Sequence, residues 1–370
     1  MRMLHVGGPR ERSSRDPVIW AGLEIHRVRS QFDQLVRYNQ HTPQMLPRVS
    51  RKRLEAFARA IRDYDVIFCE TPEALLAVGE WLRLGLTPLP LLALEVEGLL
   101  RVNAMRRWYQ AQSDPDPWPA LRDSPGVRWL AASAAQRNVL LTADVPEGRI
   151  VNVRGCTAHY GMFVAGIEAQ LAGGEADDAD LAHGLPRDGI LLPGGGRRDH
   201  VTTLRAVHQL PALPFFLIDE LLPAKQHQLR QAAVPHLPNL RTLKPLPLEQ
   251  FVALVRRARL VVVGLQPGRG DGGHTTVATA HRLGVPVVVT QLPGIADYVT
   301  DGVDALTVPP ADPAAMASAI RTLWTDPALR ARLADAGRRR EAVRCEAAPR
   351  QLRAAVRSVC ADHLGSLPGG

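Results

Sequence analysis

The sequence predicts an α/β protein built from two doubly wound parallel-sheet domains. Three observations lead there. Short apolar runs at 3–6, 66–69, 190–192, 215–218, 260–263 and 285–289 are bounded by turn residues, as strands buried on both faces are. Helical stretches separate them, so strand and helix alternate as βαβ units require. At 370 residues the chain is also long enough for two domains, each with its own core.

Composition narrows the class. A hydrophobic share of 46% and a charged share of 22% describe a globular chain and exclude a disordered one. The net charge of +8 is carried almost wholly by arginine. It reflects either an anionic partner (nucleotide phosphate, nucleic acid or an anionic membrane surface) or an arginine-rich genome. Cys69, Cys156, Cys345 and Cys360 are widely spaced and contain no Cys-x-x-Cys pair, so neither a zinc site nor a disulfide framework is expected. The opening MRMLHVGGPRERSSRD has no apolar h-region, and the longest apolar stretches are broken by Pro and Glu. A cytoplasmic protein without a transmembrane segment is the expectation.

In chain order, the strand at 3–6 runs into Gly7-Gly8, at the end of a doubly wound sheet where ligands gather. That pair either admits a substrate close to the backbone or makes a tight turn. An amphipathic helix at 51–62 leads to the strand 66–69, then come a helix at 72–84 and a strand at 90–94. Residues 99–112, LLRVNAMRRWYQAQ, place apolar and basic groups at helical spacing. Such a helix touches a membrane surface or an acceptor, or simply lays arginine stems along its own surface. Ser133 is placed to N-cap a helix. His159 faces either the cleft or solvent. Residues 166–189 are rich in Gly, Ala and Asp with little periodicity and read as a linker, where Asp177, Asp178 and Asp180 are solvated rather than metal-binding. The expected spans are therefore 1–165 for the first domain, 166–189 for the linker, 190–345 for the second domain and 346–370 for a returning helix.

Two loops in the second domain carry the chemistry. Pro193-Gly194-Gly195-Gly196-Arg197-Arg198-Asp199-His200 follows the strand 190–192 and precedes a helix at 202–210. Glycines followed by two arginines can wrap a diphosphate and neutralise it, because a guanidinium presents a fork of donors to phosphate oxygens. The second loop, Gly268 to Gly273 with Asp271 inside it, precedes a helix at 275–283 that ends at Gly284. A glycine loop entering a helix offers free N–H groups and the positive end of the helix dipole.

The order of these residues resembles the donor-site signature of retaining GT-B glycosyltransferases, the glycogen-synthase-like and sucrose-synthase-like group (family 4-like). There the pattern is Glu-Gly-Phe-Gly, a helix with a second Glu, then Gly-x-Pro-Val-Val and a loop with Gly and an acid. This chain has Asp271-Gly272-Gly273-His274, then Gly284-Val285-Pro286-Val287-Val288, then Pro293-Gly294 and Asp301-Gly302. The Glu-x7-Glu pair is degenerate: Asp271 stands for the first and Thr279 for the second. The stretch 240–251 resembles the strand, loop and helix whose backbone reads the nucleobase. Residues 127–130, the Ser133-led segment and Val145-Pro146-Glu147-Gly148 with the residues to Val153 resemble the strand, helix, turn and final strand that end the family's first domain, and the chain from Asp312 resembles its terminal helices, the last at 351–364.

The resemblance implies two Rossmann-like domains facing across a cleft and a metal-independent, retaining transfer from a nucleoside-diphosphate sugar, UDP- or GDP-linked. It places the leaving diphosphate on Gly196, Arg197 and Arg198, with Arg198 preferred, and on Gly272, Gly273, His274, Thr275 and Thr276. Asp271 would bond donor-sugar hydroxyls, Thr279 one ribose hydroxyl, and Gly7, Gly8 and His159 would face the acceptor. No cofactor beyond the sugar donor is implied; the acceptor is a small molecule, lipid carrier or glycan. The loss of Glu at 279 equally suits a nucleotide-binding accessory protein, and the basic charge alone suits a DNA-directed transferase or nucleic-acid binder.

Overall fold

The computed structural model describes residues 2–6, 18–20, 23–28, 64–69, 82, 91–94, 118–153, 186–194, 198–219, 223–267 and 272–365. The helices expected at 51–62 and 99–112, and most of those at 72–84 and of the linker at 166–189, lie outside them. The chain divides into two compact units, Met1–Met162 with Ala347–Gly370, and Phe163–Glu346.

The first unit holds β1 (Arg2–Val6), β2 (Val18–Trp20), β3 (Leu23–Val28), β4 (Val66–Cys69), β5 (Leu91–Leu94), α1 (Trp118–Asp123), β6 (Val127–Ala131), α2 (Ala134–Thr142) and β7 (Ile150–Asn152). Their sheet runs β2-β3-β1-β4-β5-β6-β7 and is parallel except for β2, which pairs antiparallel with β3. Sequence periodicity did not reveal β2 and β3, which lie between stretches without apolar alternation. Ser133 caps α2 as expected, its Oγ accepting from the Gln136 N–H at 3.0 Å. The expected Pro-Glu-Gly turn is a single 3-10 turn, Glu147–Arg149.

The second unit holds β8 (Ile190–Pro193), α3 (His200–His208), β9 (Phe215–Ile218), α4 (Pro223–Gln231), β10 (Leu240–Leu243), α5 (Leu248–Arg257), β11 (Leu260–Val263), α6 (His274–Arg282), β12 (Val287–Thr290), β13 (Leu306–Val308), α7 (Pro313–Thr325) and the start of α8 (Pro327–Gly365), whose residues from Ala347 on belong to the first unit. The sheet order is β10-β9-β8-β11-β12-β13, all parallel. Counted from β8 this is 3-2-1-4-5-6, the doubly wound dinucleotide-fold order. Alternate residues of each central strand serve opposite faces. Leu260, Val262 and Val288 join Leu204, Val207 and Ile320 of α3 and α7, whereas Val261, Val263 and Val287 join Leu254, Val277 and Ala280 of α5 and α6.

Three element boundaries differ from the sequence expectation. The helix expected at 202–210 starts at His200, because Asp199 Oδ1 accepts from the Thr202 N–H at 2.9 Å and caps it. The strand expected at 285–289 starts at Val287, because Gly284 and Val285 still donate to the carbonyls of His281 and Ala280. The helix expected at 351–364 is the end of the 39-residue α8, which passes through Pro349 without ending. Proline removes one intrahelical bond there, but Ala348, Leu352, Ala355, Val356 and Val359 pack with Val66, Phe68, Leu130 and Val153, and that burial outweighs the loss.

His281, on the inner face of α6, is fully buried and its Nε2 meets the Asp304 carbonyl at 3.1 Å. Burial, opposed by the Asp304 carboxylate and reinforced by Arg344 and Arg340, pushes its pKa from 6.5 down to about 4. The folded state therefore holds a neutral imidazole where the unfolded chain takes up a proton. Its contribution is complete above pH 6.5 and is lost as pH falls toward 4. The loss reaches at most about 3 kcal/mol by linkage. Urea denaturation of wild type and His281→Gln at pH 7 and 4.5 should show a smaller acid loss in the variant.

Candidate functional site

In an open doubly wound sheet, ligands bind beyond the carboxyl ends of the two strands at which the order reverses. Here those strands are β8 and β11, paired in parallel through Ile190–Leu260 and Leu191–Val261. The loops that leave them are the two singled out by sequence. Within the described residues, backbone bonds stitch these loops together. Arg198 makes an antiparallel bridge to Leu265, and the Asp199 N–H donates to the Gly264 carbonyl at 3.1 Å. The Leu265 N–H in turn donates to Thr290 Oγ1 at the end of β12, at 3.0 Å.

The start of α6 has the geometry of a helix N-terminus that can take an anion. Gly273 takes a left-handed φ of +80°, and a Cβ there would lie 2.7 Å from Val263 Cγ1, so only glycine fits. Its N-cap residue is this glycine, which brings no side chain to the first-turn N–H groups. The first-turn N–H groups of His274, Thr275 and Thr276 are thus oriented by a helix nine residues long, with its dipole aimed out of the N-terminus.

Arg198 completes the arrangement. Half-buried, it donates from Nε to the Pro193 carbonyl at 2.9 Å and from Nη2 to Thr276 Oγ1 at 3.1 Å. One guanidinium therefore ties the end of β8 to the first turn of α6. Burial lowers its pKa to about 10 against the pull of Asp219, which leaves the positive charge intact at neutral pH. Because it accepts from Arg198, the Thr276 hydroxyl is polarised as a donor.

The structure brings Arg198, Gly272, Gly273, His274, Thr275 and Thr276 to this point. It treats Thr279 differently. That residue is 1% exposed on the core side of α6, and its hydroxyl donates to the Thr275 carbonyl at 2.7 Å, one turn back in the same helix. Replacing it with the isosteric valine should leave nucleotide affinity within about twofold, whereas a loss of about tenfold, roughly 1.4 kcal/mol, would return it to the ligand site. Asp271, Gly196, Arg197, Gly7, Gly8 and His159 lie outside the described residues.

Sequence reasoning missed two neighbours. His200 Nε2 lies 2.7 Å from Asp219 Oδ2, both largely buried, and Asp219 sits where β9 ends. An acid directly after the apolar run 215–218 was the available signal, since strand ends form the ligand edge of such sheets. Tyr298 was the other: its ring lies 5.4 Å from that of His274. Among the described residues no group of three or more His, Cys, Asp or Glu is placed to hold a metal ion, and no helix is long and apolar enough to cross a membrane.

The fold is thus α/β with two largely parallel sheets, the second carrying two glycine-containing loops that meet at the start of α6. Residues 221–326 match the family model described as Glycosyl transferases group 1. A D-inositol 3-phosphate glycosyltransferase of Catenulispora acidiphila is 29% identical over 214 residues, 53% of this chain and 50% of that protein. The chain thus spans about half the length of the curated relative it matches. Among solved structures, Anabaena Alr3699/HepE in complex with UDP-glucose superposes with a TM-score of 0.66 at 15% identity, covering 99% of this chain and 100% of that one. Sucrose-phosphate synthase of Thermosynechococcus elongatus gives 0.59 at 19% identity, covering 97% and 89%. These likenesses show the GT-B fold.

Proposed function

We propose that this chain is a glycosyltransferase that moves a sugar from a UDP-sugar to an acceptor, with retention at the anomeric carbon and without a metal ion. One observation carries the reading: the loops after both switch-point strands converge on a glycine-led helix start, joined there by the Arg198–Thr276 contact. Cleaving the glycosyl–phosphate bond leaves negative charge on the departing diphosphate. Fixed N–H groups and a half-buried cation stabilise that charge with no reorganisation at the moment of reaction. In this reading those groups do the work a metal does elsewhere, and Asp271 bonds the donor sugar. The UDP-glucose held by the Anabaena protein supports a uridine donor, and the name of the Catenulispora relative supports an inositol phosphate as the first acceptor to try.

The test is a melting panel with UDP, GDP, ADP, TDP and CDP, followed by turnover of the matching nucleotide sugar with and without EDTA. A ligand at a hundred times its Kd adds about 2.7 kcal/mol, a clear shift. Stabilisation by UDP, EDTA-insensitive turnover and a product of retained configuration by NMR are expected. Stabilisation by none of the five would remove the phosphate site. The buried position of Thr279 favours one second reading, a nucleotide-binding accessory protein; binding without turnover of any nucleotide sugar would select it.

A further inference from the structure

The start of α6 gains nothing from a side chain of its own cap residue, a glycine, and leans on neighbours from other elements. Two supports come from the neighbouring strand and loop: Val263 and Leu265, whose side chains lie within 3.1 Å of where a Gly273 Cβ would be, and Arg198 against Thr276. A third comes from α8. Glu341 is fully buried there and Arg344 nearly so, and Arg344 Nη1 donates to Glu341 Oε2 at 2.6 Å. The pair fixes the guanidinium, whose carbon lies 4.5 Å from the centroid of the Tyr298 ring, while Nη2 reaches the Tyr298 carbonyl at 3.4 Å. Tyr298, 3% exposed, then lies against the His274 ring with 36° between the planes. The result is a column, Glu341–Arg344–Tyr298–His274, running from a buried ion pair to the first residue of the phosphate helix.

We propose that Tyr298 is a positioning residue of the diphosphate site: clamped by Arg344, it holds the His274 ring and so sets the first-turn N–H groups of α6 for a nucleoside diphosphate. The inference rests on the proposed function of that site. Tyrosine suits the task because two rotatable bonds fix a large flat surface at low entropic cost. Its action is mechanical rather than electrostatic, since Glu341 offsets the Arg344 charge behind it. The effect therefore belongs to ligands that carry phosphate and is absent from the nucleoside.

The experiment titrates UDP and uridine into wild type, Tyr298→Phe and Tyr298→Leu well below their melting temperatures, and follows the His274 ring protons by NMR. Tyr298→Leu should weaken UDP by about tenfold without changing uridine affinity, because only contacts made to the phosphates lose their alignment. Tyr298→Phe should behave as wild type, and the His274 signals should move in the leucine variant alone. Unchanged UDP affinity in Tyr298→Leu, an equal loss for uridine and UDP, or a phenylalanine variant that fails like leucine would each overturn the positioning role while leaving the phosphate site standing. A wild type that binds no nucleoside diphosphate would instead overturn the site itself, and this role with it.

Discussion

Replacing Arg198 with alanine is expected to weaken nucleoside-diphosphate binding by about a hundredfold or more, equivalent to about 2.7 kcal/mol. Two losses add. The positive charge beside the helix start disappears, and so does the fork that joins the Pro193 carbonyl to Thr276 Oγ1. A hydrogen bond to a charged group contributes about 1.5–3 kcal/mol, so one such contact accounts for most of the effect. Arg198→Lys separates the two contributions. An ammonium keeps the charge but cannot present the planar fork, so its affinity should fall between wild type and alanine. Calorimetric titration with UDP measures all three; unchanged affinity in the alanine variant would take this loop out of the site.

Glu341→Leu should destabilise the second unit by about 3–5 kcal/mol, the usual cost of stranding one member of a buried ion pair. Arg344 would keep its charge at 8% exposure, facing a leucine where the carboxylate accepted its bond at 2.6 Å. The double variant Glu341→Leu, Arg344→Met should recover most of that loss, because removing both charges removes the desolvation penalty. Urea denaturation of the single and double variants measures the difference. A single variant as stable as wild type would mean that the pair contributes nothing to holding α8 on Tyr298.

The central strands and both loops were legible because their signals are local. Leu260–Val263 is apolar throughout and bounded by turn residues, and Asp312 and Ser133 announce helices by their own side chains. Elements that borrow stability from elsewhere were not legible. Helix α4, Pro223–Gln231, is almost wholly polar and shows no stripe to read, and β13 has three residues, too few for a period. Pro349 reads as a stop, yet α8 continues because packing on Val66, Phe68 and Leu130 outweighs the lost bond. At the site, the glycine loop and Arg198 stood out by type and order. Thr279 did not declare itself, since a helical threonine serves a ligand and an i−4 carbonyl with the same hydroxyl. Tyr298 and Asp219 act on residues distant in sequence, His274 and His200, and only the folded chain puts them together.

The course of α8 bears on how the protein is made. Leaving the ribosome at about 5–20 residues per second, the chain delivers Val153 some ten to forty seconds before Ala348. Until then Val66, Phe68 and Leu130 lack the helix that covers them, while Phe163–Glu346 already holds every strand of its own sheet. The nascent first unit is thus left with an open apolar face throughout most of synthesis, the kind of surface that chaperones bind. In vivo yield should fall when residues 347–365 are deleted, because they close a core begun about 280 residues earlier, at Val66.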